Sequence, residues 1–149
     1  MQSNAELTTS QRDDLRTLAG IMIPASADYD VPGADDVMIQ ADIIATLGRD
    51  GLAVRSALDH IAHLAGQPLA TLDAAKRDTV VAEFRTTGGV AAVTLSRVIL
   101  QCYYRDDRVL KSLSLEPRAP FPKGHQLEQG DWSLLDAVKA RAPMWRRVP

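Results

Sequence analysis

A cluster of prolines near the carboxyl end places the strongest limit on the fold of this 149-residue chain. Pro117, Pro120 and Pro122 each lack a backbone N–H donor, and each biases the preceding residue towards extended geometry. No helix or central strand can therefore run through residues 116–123, and this stretch is expected to be extended. The prolines divide the chain into a body, residues 1–114, and an extended carboxyl-terminal tail, residues 115–149.

The tail carries too many large apolar side chains for a disordered segment. It holds five of the eight prolines, but also both tryptophans and one of the two phenylalanines. Disordered segments are normally poor in such residues, because the burial of apolar side chains repays the entropy lost on ordering. These side chains need a surface, either on the body or on a second protein. Tryptophan and arginine are enriched at interface hot spots, and the predicted partner-binding residues are Tyr103, Tyr104, Phe121, Trp132, Trp145 and Arg146.

Apolar residues at helical spacing, together with capping residues and helix breakers, predict an all-α body, a small bundle of five to six helices. The predicted order is a first helix that ends at Pro24, a second from about Asp35 to Thr46, a third between Gly51 and Gly66, a fourth between Thr71 or Asp73 and Gly88, a fifth from Val90 to Tyr104, and a sixth from about Asp106 to Leu113.

Four details follow from the same patterns. The fifth helix is predicted to be central, because its apolar residues cover more than one face. Arg97 is a charge on that helix, and its burial would require pairing with Asp42, with Asp59 or with a carboxylate of a partner protein. In the tail, Ser133 is predicted to cap a last helix over residues 133–142. The second helix is predicted to bury Val37, Ala41, Ile44 and Leu47.

Charge is distributed unevenly along the chain. The body has 11 basic and 15 acidic side chains, whereas the tail has 6 basic and 4 acidic ones. This asymmetry favours an acidic protein groove as the partner of the tail. It gives little support for nucleic-acid binding, because the longest basic run is the pair Arg146-Arg147.

The amino-terminal sequence MQSNAELTTSQRDD lacks a basic region followed by an apolar core. No apolar run approaches the roughly 20 residues that span a bilayer. We therefore expect a cytoplasmic protein without direct membrane insertion. A periplasmic location is expected only if an exported partner carries the chain.

Candidate catalytic and metal-binding residues are few. His60 and His63 lie one turn apart on the predicted third helix, but no third ligand stands at the spacing of a metal site. The single cysteine, Cys102, lies on the most apolar helix, where a buried thiol behaves as a small hydrophobe. The acidic loop of residues 28–36 lacks the spacing of a calcium loop. We predict no catalytic, cofactor or metal site in this chain. The alternative is a stand-alone helical enzyme or ligand-binding protein with a pocket near His60 and His63.

Two segments resemble one protein family. Residues 17–36, TLAGIMIPASADYDVPGADD, form a helix that runs into Ile-Pro-Ala and an acidic loop with Pro-Gly-Ala. Residues 101–125, QCYYRDDRVLKSLSLEPRAPFPKGH, form an aromatic helix end, a leucine-rich turn and a proline-rich exit. Together with the helical stretch between them, they resemble the gluconate 2-dehydrogenase subunit 3 family over roughly residues 9–125.

That resemblance implies a small helical subunit that accompanies a flavin-dependent oxidoreductase of the glucose-methanol-choline type, often one that acts on a sugar or another alcohol. The FAD and the catalytic residues would belong to the large subunit, and some such dehydrogenases add a cytochrome subunit. This chain is then expected to be noncatalytic and to stabilise the large subunit or help it mature. Family members often carry a twin-arginine export signal, which this sequence does not show.

Overall fold

The structure is a computed structural model that describes residues 6–119, 121–124, 128–142 and 145. The predicted all-α class is confirmed, because the described residues contain seven α-helices and no β-strand. None of these helices is long and apolar enough to cross a bilayer. The helices are α1 (Thr9–Met22), α2 (Val37–Thr46), α3 (Gly51–Ala65), α4 (Ala74–Thr87), α5 (Gly89–Tyr103), α6 (Asp107–Ser112) and α7 (Asp136–Lys139), with 3₁₀ turns at Gly48–Asp50, Leu69–Thr71 and Trp132–Leu135.

Side-chain caps explain where most of the helices begin. Thr8 and Gln11 form a capping box at α1, in which Gln11 N donates to Thr8 Oγ1 at 3.2 Å and Thr8 N donates to Gln11 Oε1 at 2.9 Å. At the end of α3, Gly66 takes a left-handed conformation with φ +68°. The caps of α2, α4 and α6 are aspartates that accept from backbone N–H groups, namely Asp36, Asp73 and Asp106.

The chain divides into two compact units, residues 1–117 and residues 118–149. The core of the first unit is built around α3 and α5, which pack against each other. As predicted for a central helix, α5 has several neighbours, since it also packs against α2 and α4. The equally central position of α3, which packs against α1 and α4, is not apparent from the sequence. The side chains at the centre are fully buried and include Leu58, Ile61, Leu95 and Ile99.

The predicted buried side of α2 is wrong. Val37 is 69% exposed, and Ala41 is exposed as well. On the buried side of α2, Gln40 Nε2 donates to the carbonyl oxygen of Ala34, which precedes the helix, at 2.8 Å in a buried hydrogen bond. This bond and the packing of α2 against α5 fix the rotation of the helix about its axis. The sequence does not show this rotation, because α2 carries apolar residues on several sides and its periodicity does not single out one face. The residues that are buried are Ile39, Gln40, Ile43 and Leu47, of which only Leu47 is predicted.

The predicted pairing of Arg97 with a carboxylate is confirmed, but the predicted burial and the two named partners are wrong. Its side chain is 41% exposed, and its guanidinium lies 2.9 Å from Asp50 Oδ1. It also donates to Gln101 Oε1 at 3.0 Å, one turn further along α5. The carboxylate partner comes from the 3₁₀ turn before α3 and is neither Asp42 nor Asp59, because the packing of α3 on α5 brings that turn to Arg97.

From residue 116 onwards, the prolines act partly as predicted. Residues 116–119 and 121–124 contain no helix or strand, but residues 121–123 form a turn instead of an extended segment. Ser133 is not the cap of the last helical segment. Asp131 Oδ1 accepts from Ser133 N at 3.0 Å and from Ser133 Oγ at 2.6 Å. The helical segment consists of Trp132–Leu135 and α7, which ends at Lys139, short of the predicted end at residue 142.

Asp14 is a buried carboxylate that holds α1 to the turn before α4. Its Oδ1 accepts from the backbone N of Leu69 at 2.8 Å, and Leu69 is fully buried. Burial raises the pKa of Asp14, and the neighbouring charge of Asp13 adds to the rise, while the Leu69 N–H acts in the opposite direction. The side chain therefore supplies a hydrogen-bond acceptor in the core, while its charged form is disfavoured by burial.

Two substitutions separate the charge of Asp14 from its hydrogen bond. Because the native pKa lies above the usual 3.8, the stability that the bound proton supplies is lost as the pH rises through the native pKa. We expect Asp14→Asn, which keeps an acceptor for Leu69 N–H, to gain free energy of unfolding relative to the wild type as the pH rises from the usual 3.8 through the native pKa. Asp14→Ala should lose about 1–3 kcal/mol, because it leaves that N–H unpaired.

Urea unfolding followed by circular dichroism across this pH range measures both effects. Asp78→Asn is the matched control, because Asp78 is an exposed carboxylate of α4 that does not act on the pKa of Asp14. A difference between Asp14→Asn and the wild type that does not change with pH would contradict the prediction.

Candidate partner-binding surfaces

The two segments that resemble one family contact each other within the first unit. Tyr103, the last residue of α5, is buried, and its Oη donates to the carbonyl oxygen of Pro32 at 3.2 Å. Arg108 in α6 donates to Asp36 Oδ1 at 2.8 Å and to Asp106 Oδ2 at 2.9 Å. The loop between α1 and α2 is thereby held by the end of α5 and by α6.

Electrostatics stabilise this contact, and close packing shapes the loop between α1 and α2. The hydrogen bonds from Arg108 hold the pKa values of Asp36 and Asp106 below the usual 3.8, so that both carboxylates stay charged while they cap helices. In the same loop, a Cβ at Gly33 would lie only 2.9 Å from the backbone N of Ala25. The Pro-Gly pair of the sequence motif therefore allows two backbone segments to approach closely, which a larger residue would prevent.

The structure distinguishes the two tyrosines among the predicted partner-binding residues. Tyr103 is 4% exposed and is used inside the unit, whereas Tyr104 is 52% exposed. Their rings meet edge to face, with centroids 5.2 Å apart. Tyr103 thus supports the position of Tyr104, and Tyr104 is the one that offers its ring at the surface.

The predicted aromatic residues of the second unit are exposed. Phe121, Trp132 and Trp145 are 87%, 66% and 72% exposed, while Arg146 lies outside the described residues. Trp132 opens the 3₁₀ turn that Asp131 caps, so the backbone beneath its side chain is held by hydrogen bonds. Further apolar side chains of this helical segment are also exposed, namely Leu134, Leu135 and Val138.

The first unit has an apolar groove that the sequence reasoning does not predict. It lies between α1, α4 and α5 and has a volume of about 790 Å³. Val93 and Leu100 line it from α5 and are 68% and 40% exposed. The signal in the sequence is the apolar character of α5 on more than one face. That signal predicts burial in the core, because the sequence does not show which side of the helix lacks a neighbour.

His60 and His63 do not form a site with other potential ligands. His60 packs edge-on against Phe84 with ring centroids 5.8 Å apart, and its Nε2 lies 3.3 Å from Thr87 Oγ1. His63 is exposed near the end of α3. In the part of the chain that the structure describes, no group of three or more His, Cys, Asp or Glu side chains could hold a metal ion. No observation here favours the alternative of a pocket at these histidines.

Cys102 is buried, as its position on an apolar helix predicts. Its Sγ lies 3.5 Å from Thr46 Oγ1 and 3.5 Å from Nη2 of Arg105. Burial raises the pKa of the Cys102 thiol despite these two contacts. The sulfur is therefore held in its protonated form at neutral pH, which disfavours its use as a nucleophile.

Comparison of the chain with protein-family models, with curated proteins and with solved structures found no match. The resemblance of residues 17–36 and 101–125 to the gluconate 2-dehydrogenase subunit 3 family stays a prediction.

Arg108→Gln tests the contact between the two segments. Ion pairs of partly exposed side chains contribute roughly 0–1 kcal/mol, so we expect a loss of that size in the free energy of unfolding at neutral pH. Because the pKa values of Asp36 and Asp106 are lowered, both carboxylates stabilise the fold at pH values above the usual 3.8. This stabilisation is lost as the pH falls through the lowered pKa values. The difference from the wild type should therefore shrink below about pH 4.

Urea unfolding at several pH values measures this difference. Arg49→Gln is the matched control, because Arg49 is an exposed arginine outside this cluster. The interpretation fails if the effect of Arg108→Gln stays constant down to about pH 2.5.

Proposed function

We propose that this chain is a noncatalytic accessory subunit that binds a larger protein through the apolar side chains of residues 118–149. The observation that carries this proposal is the exposure of Phe121, Trp132 and Trp145. Scattered exposed apolar residues are normal, but large aromatic side chains concentrated in one short segment are typical of interaction surfaces. The cap at Trp132 lowers the entropy that its backbone would lose on binding.

We further propose that the larger protein is an FAD-dependent oxidoreductase of the glucose-methanol-choline type that acts on an alcohol or a sugar. The support for this step is the resemblance of residues 17–36 and 101–125 to the gluconate 2-dehydrogenase subunit 3 family. The contacts of Tyr103 with Pro32 and of Arg108 with Asp36 are consistent with a motif whose two parts are kept together. FAD and the reacting groups would lie in the large subunit, and a cytochrome is a further candidate partner.

In such a complex, this chain would cover apolar surface of the large subunit. Residues 115–149 have 6 basic and 4 acidic side chains, so an acidic surface would attract them. A fully extended chain covers about 3.3 Å per residue. The residues on either side of the short helical segment are therefore long enough to lie along a large partner. The large subunit would gain stability, because binding to its folded state alone shifts its folding equilibrium.

Trp132→Ala and Trp145→Ala test the anchors. If each ring fills a pocket on the partner, each substitution should cost roughly 2 kcal/mol, or about 30-fold in Kd. The measurement is titration of the purified full-length variants against a yellow flavoprotein that copurifies with the tagged wild type from its native host. Tyr29→Ala is the matched control, because Tyr29 is an exposed aromatic residue of the first unit.

Tryptophan fluorescence of the chain alone gives an independent readout. We expect red-shifted, quencher-accessible emission that becomes protected when the flavoprotein is added. Protected emission from a stable monomer, together with unchanged affinity of both tryptophan variants, would contradict the proposal.

His60→Gln and His63→Gln test the absence of a catalytic role. We expect turnover per flavin of the assembled complex to change by less than about tenfold, which corresponds to about 1.4 kcal/mol of transition-state stabilisation. Steady-state kinetics normalised to flavin content measures the change, and circular dichroism of each variant controls for folding. A larger loss with intact assembly and flavin content would place the reaction at these histidines.

A further inference from the structure

The groove between α1, α4 and α5 belongs to a longer apolar stripe along α5. Val90, Val93, Arg97, Leu100 and Tyr104 recur with alternating three- and four-residue spacing, and the four apolar members are 82%, 68%, 40% and 52% exposed. This is the 3.5-residue period at which one helix packs along another. At 1.5 Å per residue, the stripe is about 21 Å long.

The length of the stripe argues for a helix as the occupant. A groove of about 790 Å³ lies within the size range of sites for small molecules. The apolar surface continues beyond it, however, because Val90 and Tyr104 do not line the groove and are both exposed. A compact ligand would leave this surface uncovered, whereas an apolar helix face of three to four turns would cover it.

The charges at the groove indicate which charged side chains that helix carries. Arg97 is already paired with Asp50 at 2.9 Å, so it does not need a carboxylate from outside. Arg85 also lines the groove and is exposed, and it makes no ion pair within the described part of the chain. An arginine beside an apolar groove favours a ligand that brings a carboxylate to it.

The position of Arg97 argues against a second copy of this chain. Symmetric pairs use the same patch on both copies. The stripe from Val90 to Tyr104 is centred on Arg97, so two stripes in either a parallel or an antiparallel arrangement would bring their Arg97 guanidiniums opposite each other. Like charges in direct opposition disfavour such an interface.

We propose that this groove binds an amphipathic helix of the partner, with apolar side chains against Val93 and Leu100 and a carboxylate against Arg85. The helix would present its apolar residues at positions i, i+3 or i+4, and i+7, the spacing of helices that lie in grooves. This inference rests on the proposed function for the existence of a larger partner, but the chemistry of the groove can be tested without that partner.

The test uses two fluorescein-labelled synthetic helical peptides of about 16 residues, long enough to cover the stripe. Both carry the same leucine face, and they differ only in flanking residues, which are glutamate in one and lysine in the other. Fluorescence anisotropy with the full-length protein measures their affinities. We expect the glutamate peptide to bind more tightly, and Val93→Asp and Leu100→Asp to weaken it by about tenfold or more.

Charge reversal and a matched surface control sharpen this experiment. Arg85→Glu should invert the preference, so that the lysine peptide binds more tightly than the glutamate peptide. Leu52→Asp is the control, because Leu52 is an apolar residue of α3 that is 64% exposed and does not line the groove. Circular dichroism and thermal melting of all variants establish that they are folded.

Equal affinities for the two peptides, or affinities unchanged by Val93→Asp and Leu100→Asp, would overturn the proposal. A dimer in analytical ultracentrifugation that these substitutions dissociate would assign the groove to a second copy and would overturn it as well. If the flavoprotein copurifies with Val93→Asp and Leu100→Asp as it does with the wild type, the groove proposal fails while the proposed function stands. If no flavoprotein copurifies but the peptide results hold, the proposed function fails and the groove proposal stands.

Discussion

The packing of α3 against α5 is the contact on which the rest of the first unit depends. It buries residues such as Leu58 and Leu95 completely, and the other long helices are arranged on one or both of these two. A Cβ at Gly88 would lie 2.7 Å from the backbone carbonyl oxygen of Phe84, so a glycine is needed where α4 turns directly into α5. The turn keeps α4 beside α5 and builds one wall of the groove, while Val93 and Leu100 of α5 stay exposed in it.

Local patterns in the sequence are sufficient for the helices, because their limits depend on neighbouring residues. Asp73 and Gly66 act within one turn of their own helices, and both mark a helix end that the sequence predicts. The orientation of the helices depends on distant contacts. The rotation of α2 and the pairing of Arg97 with Asp50 are set by packing against α5, and both differ from the prediction for that reason.

The candidate binding surfaces show the same division between local and distant information. The aromatic tail is visible in the sequence because its composition alone sets it apart, and Trp132 and Trp145 are exposed. The roles of Tyr103 and Tyr104 cannot be separated by sequence, since adjacent positions differ only in which one faces Pro32. The groove is missed because its existence depends on the side of α5 that other helices leave uncovered.

The long separation between Asp36 and Arg108 also has a consequence for the order of assembly on the ribosome. These residues stand 72 positions apart, and Tyr103 stands 71 positions after Pro32. Neither contact can form until α5 and α6 have been synthesised and have left the exit tunnel, although α1 and α2 emerge much earlier. The loop that begins α2 therefore remains open through most of translation. It can close only shortly before residues 118–149 emerge, so a nascent chain completes its first unit just as its exposed aromatic side chains become available.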